Sequence, residues 1–481
     1  MRLNKEELDK LTIKTAHEAL VRGDFSAVDL TESYLAQIKE KNEELNVYLE
    51  VFADAREQAT EADRRLRKND GVTLLTGIPL AIKDNILIEG RKCSSASKML
   101  ENYTAVYDAT VIKRLKECGA VFLGRTNMDE FAMGGSTESS AFGPTKNPHD
   151  KTRVAGGSSG GSASAVGGGL ALAALGSDTG GSIRQPSSFC GAVGLKPTYG
   201  AVSRYGVMAL ASSLDQVGPI AKTTEDAEIL FDAIRGADNL DSNAYNLPVY
   251  PVTPAKLNIG VPYSFLNGGG VAKEVLDNFN QLVEKLKQDG HVVEEVEMPN
   301  LHYSLACYYV LMPAEASTNL ARFDGVRYGL HLDGQDVTDD YKKTRAAGFG
   351  REVRRRIMLG TFVLSAGYYD SYYNKANQAR ELIKQDYLNV FNQYDAIITP
   401  TAPSLAFPIG KNSNDPLQMY LEDIFTVPVN LAGVPAMSIP TGFTAPLETA
   451  PKGLPLGVQV AAPERREDIL FAFGRLVERL G

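Results

Sequence analysis

The spacing of apolar residues in the first 70 positions predicts helices. Apolar side chains of the first predicted helix recur at roughly helical intervals: Leu8, Leu11, Ile13, Ala16 and Leu20. Gly23 ends that helix and a second one begins near Ser26, because glycine terminates helices and serine caps their first turn. We therefore expect residues 1–70 to form a helical segment that packs on the rest of the chain.

Beyond position 74 the pattern changes to short apolar runs, which predict strands between helices. The stretch LLTGIPLAIKDNILIEG predicts a buried strand with turns, and this strand contains Lys83. Further strands are predicted at 120–124, 257–261, 291–297, 396–399 and 456–460. Helices are predicted at 109–118, from 223 onward, at 271–288 and over most of 341–391. Alternating strands and helices indicate an α/β fold on a mostly parallel or mixed sheet.

Glycine and serine are concentrated in residues 156–197, GGSSGGSASAVGGGLALAALGSDTGGSIRQPSSFCGAVGLKP. This is the only linker-like composition in the chain, but its alanine and leucine content favours a tightly packed core element over a free linker. Glycine pairs beside serines indicate a backbone that is bent to present hydroxyls and bare N–H groups to a ligand. We expect a single domain spanning 1–481, organised around this catalytic segment.

Composition and charge narrow the class of protein. Of the 481 residues, 43% are hydrophobic and 23% are charged, which is ordinary for a globular enzyme. The net charge of −9 argues against an extended nucleic-acid-binding surface on this chain. Four scattered cysteines without a CxxC pair favour reduced thiols over disulfides or a zinc site. The polar N-terminus and the short apolar run at 166–175 predict a cytoplasmic protein without a signal peptide or membrane span.

Three short motifs suggest other chemistries. GSSGG at 157–161 matches G-x-S-x-G with Ser159 as nucleophile, but residues 147–154 predict a loop where that motif needs a strand. It also needs a histidine base, and none of the five histidines lies in a suggestive setting. SASK at 95–98 matches S-x-x-K, lacks a K-T-G partner and predicts a surface loop. A phosphate-binding P-loop requires a lysine after the glycines, and this segment has none there.

A site of two serines and a lysine fits the sequence better than these three motifs. A serine hydroxyl is a weak nucleophile until a base takes its proton, and a buried lysine can be that base because burial disfavours its ammonium form. Lys83 lies within an apolar run, and Asp84 points to the opposite face of the strand, so Asp84 does not hold Lys83 charged. The serines that we assign with Lys83 are Ser158 and Ser182. The alternative is a lysine that extends from the strand end to solvent.

The residues before Ser182 predict a loop that binds an oxyanion. Thr179, Gly180 and Gly181 follow one another, and the small side chains leave their N–H groups accessible to a carbonyl oxygen that gains negative charge. A plain structural turn would use the same glycines, so this short motif alone leaves both interpretations open.

Together these motifs resemble the amidase signature family. The residues on which this resemblance rests are GGSSGGS at 156–162, GSDTGGSIR at 176–184 and Lys83 upstream. They have the order and spacing of that family. The resemblance implies that Ser182 is acylated and that Ser158 bridges it to Lys83, which forms a proton relay. It also implies a cis peptide bond before Ser158, which the preceding glycine makes sterically easier.

Within that family the chain resembles the glutamine-hydrolysing subunits of tRNA-dependent amidotransferases, and the similarity covers essentially its whole length. The stretches that carry this resemblance are 196–200, 202–206, 211–216, 321–329, 355–360 and 428–433. It implies one α/β domain with a mixed sheet of about eleven strands between helices. It also implies a glutamine pocket in which Arg356 binds the carboxylate, Asp423 binds the ammonium group and Tyr309 completes the wall.

The same resemblance implies partners. A tRNA-binding B subunit with kinase and transferase activity would use ATP and magnesium, and a small C subunit would link the assembly. No cofactor or metal is implied for this chain, and tRNA would be bound mainly by the partner. Whether the aminoacyl substrate is Glu-tRNA(Gln), Asp-tRNA(Asn) or both stays open.

Two other functions compete with this interpretation. A stand-alone amidase for small or hydrophobic amides would use the same relay, but it would have no use for Arg356 and Asp423. A non-catalytic assembly protein with the amidase fold would be expected to have lost Lys83, Ser158 or Ser182, and all three are present. The chain departs from the usual pattern at Ala155, His149 and 460–464, which affects loop geometry and not the relay.

Overall fold

A computed structural model describes residues 3–268, 270–412 and 415–481. Among these residues, eleven strands form one sheet in the order β1-β3-β2-β4-β6-β5-β10-β11-β9-β7-β8. The strands are β1 Tyr48–Val51, β2 Pro79–Lys83, β3 Val121–Thr126, β4 Ala173–Asp178, β5 Val193–Lys196, β6 Gln216–Ala221, β7 Asn258–Val261, β8 Val292–Glu295, β9 Ala396–Pro400, β10 Ala436–Phe443 and β11 Pro455–Ala461. The predicted α/β fold with a mixed sheet of about eleven strands is confirmed.

The α-helices come from all parts of the described chain and pack against the sheet. They are α1 Lys5–Lys10, α2 Ile13–Arg22, α3 Ala27–Leu45, α4 Ala55–Lys68, α5 Thr110–Glu117, α6 Gly160–Gly167, α7 Arg184–Cys190, α8 Thr224–Ile234, α9 Tyr263–Leu266, α10 Lys273–Gln288, α11 Ser304–Asn319, α12 Val337–Gly348, α13 Arg351–Val363, α14 Lys375–Phe391, α15 Pro416–Leu421, α16 Val427–Ala432 and α17 Glu467–Leu480. None of them is long and apolar enough to cross a bilayer.

The sheet is mixed, with parallel pairs near each end and an unbroken run of antiparallel pairs between them. β2 pairs in parallel with both β3 and β4, and β7 pairs in parallel with β8 and β9. The pairs β4–β6, β5–β6, β5–β10, β10–β11 and β11–β9 are antiparallel. Strands β2, β3, β4, β5, β6, β9 and β11 are buried along their whole length. The centre of the sheet therefore carries apolar side chains on both faces, as helices on both sides require.

The N-terminal segment differs from its prediction in two places. The helix predicted across positions 8–20 is divided, because Thr12 caps α2 through its hydroxyl and ends the preceding turn. Strand β1 then interrupts the segment and pairs with the edge of β3. A four-residue strand between two longer helices leaves little periodic signal, so the helical spacing of its neighbours predicts a helix through it. Residues 1 and 2 of the predicted segment lie outside the described residues.

Besides β1, four strands differ from the prediction because the sequence pattern does not indicate them: β4, β5, β6 and β10. β4 has the sequence AALGSD, whose small and polar residues rarely occur in strands. It forms a strand because its neighbours β2 and β6 supply both hydrogen-bonding edges. This unpredicted strand carries the second glycine–serine motif to its place at the site.

The prediction of a surface loop at 95–98 is wrong for three of its four residues. Ser95, Ala96 and Ser97 are buried, and only Lys98 is exposed. The buried Asp84 carboxylate holds this loop inside, because it accepts hydrogen bonds from Ser94 Oγ at 2.5 Å and from the Ala96 N–H at 2.9 Å.

Asp84 also pairs with Arg125, and this buried pair generates a stability prediction. Asp84 Oδ1 lies 2.9 Å from Arg125 Nη1, and both side chains are largely excluded from water. Replacing Asp84 with alanine leaves Arg125 without its buried partner, so we expect the free energy of unfolding to fall by about 3–5 kcal/mol. Urea denaturation of Asp84→Ala and the wild type measures this difference.

The matched control removes the other partner of the same arginine. Glu50 contacts Arg125 Nε at 2.9 Å from a half-exposed position. Glu50→Ala is expected to cost less than about 1 kcal/mol, since exposed ion pairs contribute little. Equal losses in the two variants would contradict the assignment of Asp84 as the principal partner.

Candidate active site

Lys83 is the last residue of β2 and its amine lies among three serines. Its Nζ is 2.8 Å from Ser158 Oγ, 2.8 Å from Ser159 Oγ and 2.9 Å from Ser177 Oγ. The side chain is fully buried, so the alternative of a lysine that reaches solvent is wrong. Burial lowers the pKa of Lys83 to about 7, although nearby buried carboxylates act in the opposite direction. The amine is therefore placed to exchange a proton near neutral pH.

Ser158 is held against Lys83 by the backbone around it. The Gly157–Ser158 peptide bond is cis. The Gly157 N–H donates to Gln185 Oε1 at 3.0 Å, and the Ser158 carbonyl accepts the Asp129 N–H at 3.2 Å. A side chain at position 157 would lie 2.0 Å from the Asp129 carboxylate, so only glycine fits there.

Ser159 has a structural role in this arrangement. Its hydroxyl donates to the Ser177 carbonyl at 3.1 Å and accepts from the Ser177 N–H at 3.3 Å and from Lys83. The preceding residues 147–154 form no strand, so the geometry of the G-x-S-x-G elbow is absent from this part of the described chain. Sequence reasoning missed both Ser159 and Ser177 as partners of Lys83, although both adjoin motif residues that it identified.

The second glycine–serine motif turns directly after β4 and is fixed by a buried ion pair. Asp178 accepts from Arg184 at 2.9 Å and from the Gly181 N–H at 2.9 Å. Burial would raise the pKa of the Asp178 carboxyl, but the Arg184 guanidinium outweighs it and holds this pKa well below the usual range. The Ser182 carbonyl accepts the Ser159 N–H at 3.0 Å, which joins the two motifs.

The three predicted oxyanion donors differ in their hydrogen bonds. The Gly181 N–H is already donated to Asp178, whereas the Thr179 and Gly180 N–H groups have no acceptor among the described residues. The Thr179 hydroxyl donates to Asp215 at 2.7 Å, which fixes this end of the turn. A Cβ atom at Gly180 would lie 2.7 Å from the Tyr308 ring, so the close approach requires glycine. Two amides of the turn are thus unpaired beside Ser182.

The structure brings together the three residues predicted to bind glutamine. The Tyr309 hydroxyl donates to Asp423 Oδ2 at 3.2 Å, and the Arg356 guanidinium lies 5.5 Å from the Tyr309 ring centre. Arg356 is 4% exposed. Burial raises the pKa of Asp423 to about 8, and Arg356 and Tyr309 oppose that shift. A buried cation and a partly buried carboxyl group therefore share one wall.

A cavity of about 340 Å³ adjoins Arg356. It lies between the loop that follows β3, the first turns of α13, and α15. Its lining includes Asp129, Glu130, Gly135, Ser136, Glu352, Arg355, Arg356, Met419 and Tyr420. Tyr420 and Glu352 contact Arg356 and were not predicted, because a tyrosine in a short helix and a glutamate in a basic helix have ordinary sequence settings. Across the described ranges, no group of three or more His, Cys, Asp or Glu side chains is arranged to hold a metal.

Comparisons with known proteins show the family of this chain. The Amidase family model matches residues 29–471. The A subunit of glutamyl-tRNA(Gln) amidotransferase from Roseiflexus sp. (strain RS-1) is 50% identical over 480 residues, 98% of this chain and 97% of that protein. Its counterpart from Geobacillus thermodenitrificans (strain NG80-2) is 49% identical over 476 residues, 97% of this chain and 96% of that protein.

Solved structures give the same result. The crystal structure of the A subunit of glutamyl-tRNA(Gln) amidotransferase from Thermotoga maritima superimposes with a TM-score of 0.80 at 43% identity, covering 100% of this chain and 96% of that one. Native peptide amidase from Stenotrophomonas maltophilia has a TM-score of 0.80 at 28% identity, with 98% and 96% coverage. With its serine–lysine site and a family match over most of its length, the chain belongs to the amidase family, whose members act on carbon–nitrogen bonds.

Proposed function

We propose that this chain is the glutaminase subunit of a tRNA-dependent amidotransferase. The observation that carries the proposal is the placement of buried Arg356 and partly buried Asp423 on one wall, because a free amino acid presents a carboxylate and an ammonium group. The names of the similar proteins support it, since three of the four described above are A subunits of glutamyl-tRNA(Gln) amidotransferases.

In the proposed acylation step, the Ser182 hydroxyl attacks the carboxamide carbon of glutamine. Its proton passes to Ser158, and the Ser158 proton passes to the neutral amine of Lys83. The contact of 2.8 Å between Lys83 Nζ and Ser158 Oγ supports this relay. The N–H groups of Thr179 and Gly180, with Gly181 in the same turn, stabilise the oxyanion of the tetrahedral intermediate.

Collapse of the intermediate releases ammonia and leaves a γ-glutamyl ester on Ser182. Lys83 returns its proton through Ser158 to the departing nitrogen, so the relay ends in its starting protonation state. Water then attacks the ester, the same relay accepts its proton, and glutamate leaves with Ser182 restored. Each step needs an amine that gains and loses a proton at low cost, which a pKa of about 7 allows.

The ammonia is then used by a partner. We propose a cytoplasmic heterotrimer in which the tRNA-binding B subunit uses ATP and magnesium to activate the misacylated carboxylate, and the small C subunit links the two larger chains. The acidic net charge of this chain supports assigning most phosphate contacts to the partner. The amidated product is Gln-tRNA(Gln), and Asp-tRNA(Asn) is a second possible acceptor.

A stand-alone amidase is the second candidate, and similarity to the Stenotrophomonas maltophilia peptide amidase favours it. Arg356 and Asp423 disfavour it, because an apolar amide has no carboxylate or ammonium group to offer either side chain. A non-catalytic assembly protein is disfavoured by the intact contact between Lys83 and Ser158.

Replacing Ser182 tests the nucleophile. Ser182→Ala is expected to abolish ammonia release from glutamine, measured with and without the partner subunits, because no acyl ester can form. The matched control is Ser187→Ala in the same segment, whose hydroxyl donates only to the Ile183 carbonyl of its own helix. The control should retain activity within about twofold. Full glutaminase activity in Ser182→Ala would contradict the assignment.

The pH dependence of kcat tests Lys83. Since the relay requires the neutral amine, kcat at saturating glutamine should be constant above pH 8 and fall about tenfold per pH unit below the Lys83 pKa of about 7. Lys83→Met should lower kcat by about 10²–10⁴. Lys98→Met, the same change at an exposed lysine, is the control. A kcat that is constant between pH 5.5 and 8 would exclude Lys83 as the base.

Substrate preference tests the charged pocket. Arg356→Met and Asp423→Asn should each raise the KM for glutamine about 10–100-fold, the value of one charged hydrogen bond. Hydrolysis of propionamide, which has neither charged group, should change little. If both substrates lose activity equally, or if only the neutral amide is hydrolysed by the wild type, the stand-alone amidase is the correct function.

A further inference from the structure

We propose that Glu352 is a positioning and specificity-determining residue for the α-carboxylate of the substrate. It occupies the Nε edge of Arg356 and leaves the two terminal guanidinium nitrogens without a charged acceptor among the described residues. This inference rests on the proposed glutamine site, in which Arg356 is the carboxylate ligand. It adds a residue that touches no substrate atom and acts through Arg356.

The contacts of Glu352 show how the guanidinium is held. Glu352 and Arg356 lie one turn apart on α13, and Glu352 Oε1 accepts Arg356 Nε at 2.8 Å. The same oxygen accepts the Tyr420 hydroxyl at 2.9 Å, and Oε2 pairs with Arg355. Burial would raise the pKa of Glu352, but Arg356 and Arg355 outweigh it and keep this pKa below its usual value. The carboxylate is therefore charged and occupied on both oxygens.

The remaining nitrogens of Arg356 are left for a ligand. A guanidinium can bind a carboxylate along its Nε edge or end-on through its two terminal nitrogens. Glu352 occupies the Nε edge. Within the described part of the chain, the acceptor for Arg356 Nη1 is the Met312 sulfur, a weak acceptor, at 3.8 Å. A substrate carboxylate must therefore approach end-on, which fixes the direction in which the rest of the amino acid extends.

Tyr420 connects this anchor to the opposite end of the pocket. Its ring stacks on Tyr309 with 3.8 Å between centroids, and the Tyr309 hydroxyl donates to Asp423. The carboxylate ligand and the ammonium ligand are thus held by one chain of contacts that runs through Glu352, Tyr420 and Tyr309. Three separate helices, α11, α13 and α15, contribute to it.

Two effects of Glu352 on binding oppose each other. Its negative charge weakens the attraction of Arg356 for a second carboxylate. Its hydrogen bond to Nε orders a long side chain before the substrate arrives, which removes an entropic cost from binding. The Arg356 side chain is buried, so without Glu352 its guanidinium would have too few hydrogen-bond acceptors and would turn toward other ones. We infer that positioning outweighs charge.

Three amide substrates distinguish a positioning role of Glu352 from a general loss of protein structure in the variant. Glutamine and glutaramate carry the carboxylate, whereas 4-aminobutanamide keeps the amine and carboxamide without it. For Glu352→Ala in the full chain with its partner subunits, the KM for glutamine and for glutaramate should rise about tenfold, the value of one charged hydrogen bond. The kcat should stay within about threefold, and kcat/KM for 4-aminobutanamide within about twofold, because Arg356 acts only on the carboxylate.

Two further variants and one control variant complete the test. Glu352→Gln retains an acceptor for Nε and should restore part of the loss. Tyr420→Phe removes only the hydroxyl and preserves stacking on Tyr309, so it should raise the KM for glutamine about threefold. Glu284→Ala removes an exposed glutamate that pairs with Lys287 on α10 and is the matched control, with no change expected on any substrate.

The outcomes separate the two proposals. Equal losses on all three amides, an unchanged KM for glutamine, or a lower KM in Glu352→Ala would overturn the role of Glu352 while the glutaminase assignment stands. If Arg356→Met leaves the KM for glutamine unchanged, or if the wild type does not hydrolyse glutamine, the pocket assignment fails and the role of Glu352 fails with it.

Discussion

The burial of one amine governs this site. Lys83 stands at the end of a central strand, fully excluded from water, and its partners are serine oxygens together with the Ser177 carbonyl. None of these partners carries a full charge, so hydrogen bonding solvates the amine without fixing it as an ammonium ion. Burial therefore lowers the pKa of the Lys83 amine until it titrates near neutral pH. A histidine does the same task in many hydrolases through its intrinsic pKa.

The rigidity of the site comes from buried polar contacts that surround this amine. Asp178 and Arg184 are both fully buried and hold the turn that presents Ser182. Asp129 holds the neighbouring loop through the N–H groups of Thr137 and Ser139, at 2.9 and 3.3 Å, and lies where only Gly157 leaves room. Buried charges are costly unless every partner is in place, so these networks tolerate few alternative arrangements. The glycines of the two motifs therefore serve close packing as much as turn geometry.

The pocket and the relay are built from different parts of the chain. The proposed relay uses β2 and the glycine–serine segment, all within residues 83–182. The proposed ligands for the amino-acid substrate come from α11, α13 and the residues after α15, more than one hundred positions later. A family can therefore keep the chemistry and exchange the recognition elements, which is consistent with one fold shared by the peptide amidase and the amidotransferase protein.

The sequence by itself determined the class of fold and predicted the residues of the proposed reaction centre. Lys83, Ser158 and Ser182 were identified because small residues and a lysine inside an apolar run are local signals, and strands alternating with helices indicated the layered sheet. The tertiary structure decided what depends on distant neighbours. β4 has weak strand propensity and forms through β2 and β6, the loop at 95–97 is buried by Asp84, and Glu352 and Tyr420 matter only because they meet Arg356. Contacts between residues far apart in the chain leave no periodicity to detect, since they arise from packing and not from local preference.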